Sequence, residues 1–302
     1  MKILLIGSSG QLGREIIKSS PNYIELLTPS KKEFNLSSPD ECYRFILETS
    51  PNWVINSGAF TNVEKAEENK ELALIINAKG PESIAKALSK TGGKLLHIST
   101  DYVFNGCQNI PYKTNQVICP INSYGFSKAK GEEYIQKLLP DSNKLCIIRT
   151  SWLMGAAGNN FANKMIQLIN SLDEIKVVYD QISSPTITNS LANAIWRIIK
   201  INDLYTQKNK IFPRLNHFSN SGIASWYDVA VAISEIGLQT GLIKKTSKII
   251  PVESYEYPTI AARPKYSVLE SNQTKKIINI NNIHWRKALF DSFQSFKNTN
   301  SN

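Results

Sequence analysis

Tyr124 and Lys128 stand four residues apart in the segment Ser123-Tyr124-Gly125-Phe126-Ser127-Lys128. On a helix this spacing puts both side chains on one face, about one turn apart. A lysine ammonium beside a phenol favours the phenolate, so Tyr124 is expected to titrate below its ordinary ~10. Such a phenol can donate a proton to a carbonyl oxygen, or take one from an alcohol, near neutral pH. Beside a nicotinamide, that chemistry is carbonyl reduction or its reverse. The spacing alone proves little, because about one such pair is expected by chance in a chain this rich in both residues. Its weight comes from position. It is the one instance in the sequence, and it opens a helix that follows the polar segment Ser99-Thr100-Asp101. Hydroxyls at the carboxyl end of a strand can hydrogen-bond a substrate oxygen where negative charge develops.

The second chemical feature is Gly7-x-x-Gly10-x-x-Gly13, directly after the apolar run Lys2–Ile6. Glycines at this spacing permit a tight turn and let backbone amides approach a pyrophosphate at a helix N-terminus. Between a strand and a helix this reads as dinucleotide binding. Cofactor choice is read at the end of the second strand, where an acidic side chain would hold the ribose hydroxyls. Here Ser30-Lys31-Lys32 stands, with Glu33 nearby, and two lysines suit a 2′-phosphate. NADPH is therefore expected, with NADH left open.

The elements that must position these residues follow from the pattern. Strands are expected at Lys2–Ile6, Tyr23–Leu27, Trp53–Asn56, Lys94–Ser99 and Lys144–Thr150. Helices are expected at Gln11–Lys18, Asp40–Glu48, Glu71–Lys90 with an interruption near Gly80-Pro81, and Tyr124–Leu138. Strands alternating with helices predict a Rossmann-type, doubly wound parallel sheet with helices on both faces. Residues 1–150 would form the dinucleotide-binding domain. Residues 151–302 would form mainly a smaller substrate-binding lobe over the strands' carboxyl ends, with the stretch 175–201 returning to the first domain. Helices at Phe161–Leu172, Ser190–Ile201 and Ser225–Ile236 and a strand at Ile175–Tyr179 belong to this half, and the polar tail 298–302 is expected to fray.

Composition narrows the class. The chain has 302 residues, 42% of them hydrophobic and 20% charged, which fits a globular protein with a large core. No apolar run approaches the roughly 18 residues of a membrane span. The start lacks the parts of a signal peptide, so the expected location is the cytoplasm. The net charge of +10 is spread along the chain, without the basic patch or reading motif of a nucleic-acid binder. Cys42, Cys107, Cys119 and Cys146 show no metal or disulfide spacing, and His97, His217 and His284 are isolated. His97, within an apolar run, reads as a satisfied core histidine.

Taken together, these motifs resemble the dTDP-4-dehydrorhamnose reductases of the extended short-chain dehydrogenase/reductase superfamily. The resemblance runs from Gly7 to the region of Trp285. It rests on Gly10-Gln11-Leu12-Gly13, Thr61 to Glu67, Ser99 to Phe104, Tyr124-Gly125-x-x-Lys128, Arg149-Thr150-Ser151-Trp152, Asn160-Phe161, Asp180-Gln181 with Pro185-Thr186, and Arg263-Pro264-x-x-Ser267. It implies a catalytic trio of Thr100, Tyr124 and Lys128. Tyr124 would protonate the C4 oxygen of a nucleotide-linked sugar as NADPH reduces that carbon. Lys128 would hold the nicotinamide ribose and tune the tyrosine, while Thr100 polarises the carbonyl. Gly10, Gln11 and Leu12 would contact the pyrophosphate, and Gly58, Ala59 and Thr61 the cofactor's other side. With Gly7, Gly13, Ser30, Lys31, Asn35, Leu36 and Ser99 they complete the expected cofactor contacts. Asp101, Val103, Phe104 and Trp152 would shape the sugar pocket. Asn160 and Arg263 would reach toward the diphosphate, where an arginine fork suits phosphate.

Several residues depart from the family pattern. Asn35-Leu36 replaces a short Asp-containing motif, Ser183 stands where glycine is usual, and Glu64 where aspartate is typical. Some members hold magnesium with glutamates at a dimer interface. Glu15 matches the first such position, but Asn189 replaces another carboxylate. A hard cation wants several oxygen ligands, which argues against magnesium and a dimer of that kind; a homodimer is otherwise left open. A 4,6-dehydratase would carry an Asp-Glu pair after the threonine, whereas Asp101 is followed by Tyr102. An epimerase, another reductase of nucleotide sugars, or a non-catalytic NADP-binding regulatory subunit resembling that of methionine adenosyltransferase remain as alternatives.

Overall fold

A computed structural model describes residues 1–156 and 158–300, the side chains of 299 and 300 excepted. Its centre is a six-stranded, all-parallel sheet. In chain order the strands that matter are β1 (Lys2–Ile6), β2 (Glu25–Leu27), β3 (Trp53–Asn56), β4 (Lys94–Thr100), β5 (Leu145–Thr150), β6 (Glu174–Val178), β7 (Leu215–His217) and β8 (Lys248–Val252). The central sheet runs β2-β1-β3-β4-β5-β7, and β6 pairs with β8 apart from it. The main helices are α1 (Gln11–Lys18), α2 (Pro39–Thr49), α3 (Gly80–Thr91), α4 (Ser123–Leu138), α5 (Phe161–Ser171), α6 (Thr188–Gln207), α7 (Trp226–Thr240) and α8 (Trp285–Asn300).

The strands are apolar on both faces because both are covered. Ile3, Leu5, Ile55, Leu96 and Ile148 pack with Leu12 and Ile16 of α1 and with Leu191, Ile195 and Ile198 of α6. Their neighbours Leu4, Ile6, Val54, Leu95 and Ile147 point the other way, onto Ile46 of α2, Ile84 and Leu88 of α3, and Ile135 of α4. This alternation is the period-2 geometry of a strand, and each such side chain contributes about 1.5–3 kcal/mol by leaving water. The strand order reverses between β1 and β3, so their carboxyl ends diverge and open the crevice in which ligands of such sheets bind.

A separate core joins Met154, Met165 and Ile169 to Ile187, Val229, Ile233, Leu289 and Phe293. Ile175 and Val177 belong to this second core, so within 175–201 it is the part from Thr188 onward that packs on α1. The chain then returns once more as β7, where Leu215–His217 pairs in parallel with Ile147–Arg149. At three residues, β7 has too short a pattern to be read from sequence.

Two local features differ from the expected elements. The interruption near Gly80-Pro81 is not a break but a π turn over Ile75–Lys79 between helical segments. Pro81 lacks the N–H that Asn77 O would otherwise receive. The Asn77 side chain is anchored elsewhere, accepting from Phe60 N at 2.7 Å and donating to Ser127 Oγ at 2.9 Å. At the C-terminus the chain stays helical to Asn300 rather than fraying from 298, and residues 301 and 302 lie outside the described residues. Among the described residues no helix is long and apolar enough to cross a membrane.

Candidate active site

Close backbone approaches shape the crevice. Gly7 has φ +80°, and a Cβ there would meet Gly58 N at 2.7 Å, so the turns after β1 and β3 touch. A Cβ on Gly13 would lie 2.2 Å from Gly7 O. The turn therefore presses α1 against itself, with Gly10 at the helix cap. No side chain caps that first turn, which leaves its leading amides for an anion. A dinucleotide pyrophosphate fits this cradle.

Tyr124 is placed by the start of α4. Asn122 accepts from Gly125 N at 2.7 Å, and both Ser123 N and Ser123 Oγ donate to Glu67 at 2.7 Å. A Cβ on Gly125 would stand 2.1 Å from Tyr102 O, so this glycine lets α4 lie against the turn that follows β4. The Tyr102 and Tyr124 rings consequently meet edge to face, 6.0 Å apart.

The cleft so formed has a volume of about 810 Å³. Its wall includes Gly7, Gly10, Gln11, Leu12, Gly13, Lys31, Asn35, Leu36, Gly58, Ala59, Thr61, Ser99, Thr100, Asp101, Tyr124, Lys128, Trp152, Asn160 and Arg263. Nearly all of the residues expected from sequence are therefore brought together, from points as distant as 7 and 263. Three are not. Val103 and Phe104 are fully buried in a core with Tyr112, Ala129 and Leu269, and are not part of the cleft wall. Ser30 is an exposed turn residue whose N–H is capped by Glu33 at 2.7 Å. Lys32 also lies outside the wall, leaving Lys31 as the lysine of that pair at the cleft. Ser99 reaches the wall, but its hydroxyl donates to buried Glu132 at 2.5 Å. Asn160 caps α5 by accepting from Asn163 N at 3.1 Å, and donates to Gln11 Oε1 at 3.1 Å across the cleft.

The electrostatics correct one expectation. The pKa of Tyr124 is not lowered; burial pushes it up to about 12, opposed by a hydrogen bond with Thr100 and reinforced by Asp101. Lys128 Nζ is engaged elsewhere, 2.6 Å from Ile98 O and 3.2 Å from His97 Nε2. A raised pKa keeps the phenol protonated through neutral pH, the form a proton donor requires. Burial brings Lys128 down to about 8, with Glu132 opposing. Asp101 rises to about 7 through burial, although Ser267 Oγ at 2.5 Å and Thr100 Oγ1 at 3.1 Å both donate to it. Ser183, the departure from glycine, sets its hydroxyl 3.4 Å from the same carboxylate.

Trp226 was not expected at the site, and Glu64 only as a departure from the family pattern. Trp226 lines the cleft and stacks on Trp152 with ring centroids 3.6 Å apart. Trp152 holds this pose at φ +44°, a left-handed conformation that costs an aromatic residue about 1–3 kcal/mol. The capping box of Ser225 and Asp228 marked the start of that helix, but nothing local aimed Trp226 at the cleft. Glu64 fastens the 260–263 strap: it accepts from Ile260 N at 2.8 Å and pairs with Arg263 at 2.6 Å. Burial pushes Glu64 up, but the Ala261 and Ile260 amides and Arg263 outweigh it and leave its carboxyl below the usual range. Among the described residues, no three His, Cys, Asp or Glu side chains converge as a metal site would need, Glu15 included.

A parallel sheet in this order, a glycine turn at its switch point and a Tyr–x–x–x–Lys pair on the crevice wall define an extended short-chain dehydrogenase/reductase. Within that class the chain belongs to the family described as the RmlD substrate binding domain, which matches residues 1–298. It is 37% identical over 295 residues to the spore coat polysaccharide biosynthesis protein SpsK of Bacillus subtilis, covering 97% of each chain. Among solved structures, a dTDP-4-dehydrorhamnose reductase of Clostridium acetobutylicum is 37% identical with a TM-score of 0.87, covering 98% of this chain and 100% of that one. The Bacillus anthracis dTDP-4-dehydrorhamnose reductase in complex with NADP is 33% identical, also with a TM-score of 0.87, covering 97% and 99%.

Proposed function

We propose that this chain is an NADPH-dependent oxidoreductase that reduces the C4 keto group of dTDP-4-dehydro-L-rhamnose, working in the cytoplasm on a precursor of cell-surface polysaccharide. The observation that carries the reading is a single cleft joining the glycine cradle, the Thr100, Tyr124 and Lys128 side chains, and the Trp152 and Arg263 wall. The names of the relatives, one of them bound to NADP, support the same reading.

In this reading the first 150 residues hold the cofactor and most of the remainder holds the sugar nucleotide. The α1 turn with Gly10, Gln11 and Leu12 would hold the pyrophosphate, Lys31 the 2′-phosphate, and Lys128 the nicotinamide ribose. The cofactor supplies the hydride when bound. Thr100, whose hydroxyl lies beside the Tyr124 phenol, would turn its proton from Asp101 to polarise the C4 carbonyl. Tyr124 would give its proton to that oxygen as it becomes an alkoxide. Arg263, held by Glu64, would face the diphosphate with its free edge, and the Trp152–Trp226 stack would close over the sugar.

The test follows NADPH absorbance with dTDP-4-dehydro-L-rhamnose. The wild type should oxidise NADPH stoichiometrically, and Tyr124→Phe should lose at least ~100-fold in turnover while still binding NADPH. A wild type that binds NADPH but turns over none of this sugar would refute the reductase reading.

A further inference from the structure

His97 was expected to be an ordinary core histidine, and it is fully buried. Its two ring nitrogens are nevertheless both spent on one chain of polar groups leading to Lys128. Nε2 lies 3.2 Å from Lys128 Nζ, and Nδ1 lies 3.1 Å from Asn56 Nδ2. Asn56 is also fully buried, and its Oδ1 accepts from Gly58 N at 3.2 Å, in the turn that lines the cofactor cleft.

The protons in this chain can be counted. A backbone N–H only donates, so it fixes Asn56 Oδ1 as the acceptor and turns Nδ2 toward the imidazole. An amide NH₂ also only donates, so His97 Nδ1 must be the lone-pair side of the ring. Burial holds His97 well below its ordinary titration range, with Lys128 adding to the effect, so the ring is neutral and has one proton. That proton must sit on Nε2, facing Lys128.

We propose that His97 is a positioning residue that acts through the proton affinity of Lys128: fixed by Asn56, it presents Nε2–H to the lysine nitrogen, a contact that only the neutral amine can accept, and so favours loss of the lysine's proton. The lysine's own hydrogens are left for Ile98 O, 2.6 Å away, and for a ligand hydroxyl in the cleft. An ammonium has no lone pair with which to accept this bond, so protonating Lys128 costs the contact. Besides His97, Glu132 on α4 acts on Lys128 and is itself paired with Arg149 on β5, while Tyr124 on α4 and Asp101 after β4 share the cleft wall with it. None of these supplies an N–H to the lysine nitrogen. The pH dependence of turnover rests on the reductase reading; the tautomer of His97 does not.

The decisive measurement is ¹⁵N NMR of the histidine rings in the NADPH-bound protein at pH 9, where only three histidines need assignment. His97 should be neutral with its proton on Nε2. A proton on Nδ1, or an imidazolium, overturns the proposal whatever sugar the enzyme takes. The second measurement is the pH profile of turnover. His97→Leu removes the donor, so the basic limb should move up by roughly one pH unit, the worth of one hydrogen bond. His97→Gln, whose amide N–H can stand in for Nε2–H, should return the limb toward its wild-type position. A limb that moves down in His97→Leu would mean that Lys128 donates to the ring, and that too overturns the proposal. If the leucine variant does not fold, the glutamine variant and the tautomer still decide the matter.

Discussion

Asp101 is 2% exposed, and burial lifts its pKa from 3.8 to about 7. A carboxyl whose folded pKa exceeds its unfolded value contributes stability fully below the unfolded pKa, and loses it as pH rises through the folded one. Between those limits the unfolded chain releases a proton that the folded chain retains. With these two pKa values the deficit against a permanently neutral group is about 1.7 kcal/mol at pH 5 and about 4.3 kcal/mol at pH 8. Asp101→Asn keeps the size and removes the titration. Relative to wild type, the variant should therefore gain about 2.6 kcal/mol between pH 5 and pH 8. Ser267 and Thr100 can rotate their hydroxyls, but any fixed cost of repacking cancels in the comparison of the two pH values. The assay is urea unfolding of both proteins at pH 5, 6.5 and 8. An unchanged difference across that range would show that Asp101 is not held neutral by burial. A variant that loses ground at pH 8 would show an ionised carboxylate stabilised by its hydroxyl donors.

Three further outcomes follow from the geometry. Arg149 and Glu132 form a buried pair at 2.7 Å; Arg149→Met leaves the carboxylate unpaired and should cost about 3–5 kcal/mol in urea unfolding, most of it recovered by adding Glu132→Leu. Gly125→Ala forces a methyl group onto Tyr102 O, so it should destabilise the fold by about 1–3 kcal/mol and reduce turnover through displaced Tyr124; turnover equal to wild type would refute the close approach. Lys31→Ala should lower the preference for NADPH over NADH about tenfold, the scale of one charged hydrogen bond, whereas Lys32→Ala, which is outside the cleft, should leave it unchanged.

Much of the site was legible because its parts are local. The β1 turn and α1 are adjacent in the chain, so three glycines suffice to announce the cradle. Tyr124 and Lys128 share a helix, and Thr100 ends the strand before it. The alternation of short apolar runs with amphipathic helices likewise specified a parallel sheet, since strand and helix periods are properties of neighbouring residues.

What depends on partners distant in sequence was decided only by the tertiary structure. The Asp-Tyr-Val-Phe segment reads as one pocket motif, yet Asp101 lines the cleft while Val103 and Phe104 pack into a core with Leu269. β7 exists because Ile147–Arg149 offers it an edge, not because three residues favour a strand. Glu64 and Arg263 meet across nearly two hundred residues, as do His97 and Lys128 across a strand and a helix. Proton affinities belong to the same group. Sequence spacing put a cation near Tyr124 and implied an acidic phenol, but desolvation acts on every buried group; here it outweighs the Thr100 hydrogen bond, and the Asp101 charge adds to it, turning the shift upward. The sequence by itself determined which residues could do chemistry and in which elements they lie. Their protonation and direction were settled by the water excluded when those elements packed.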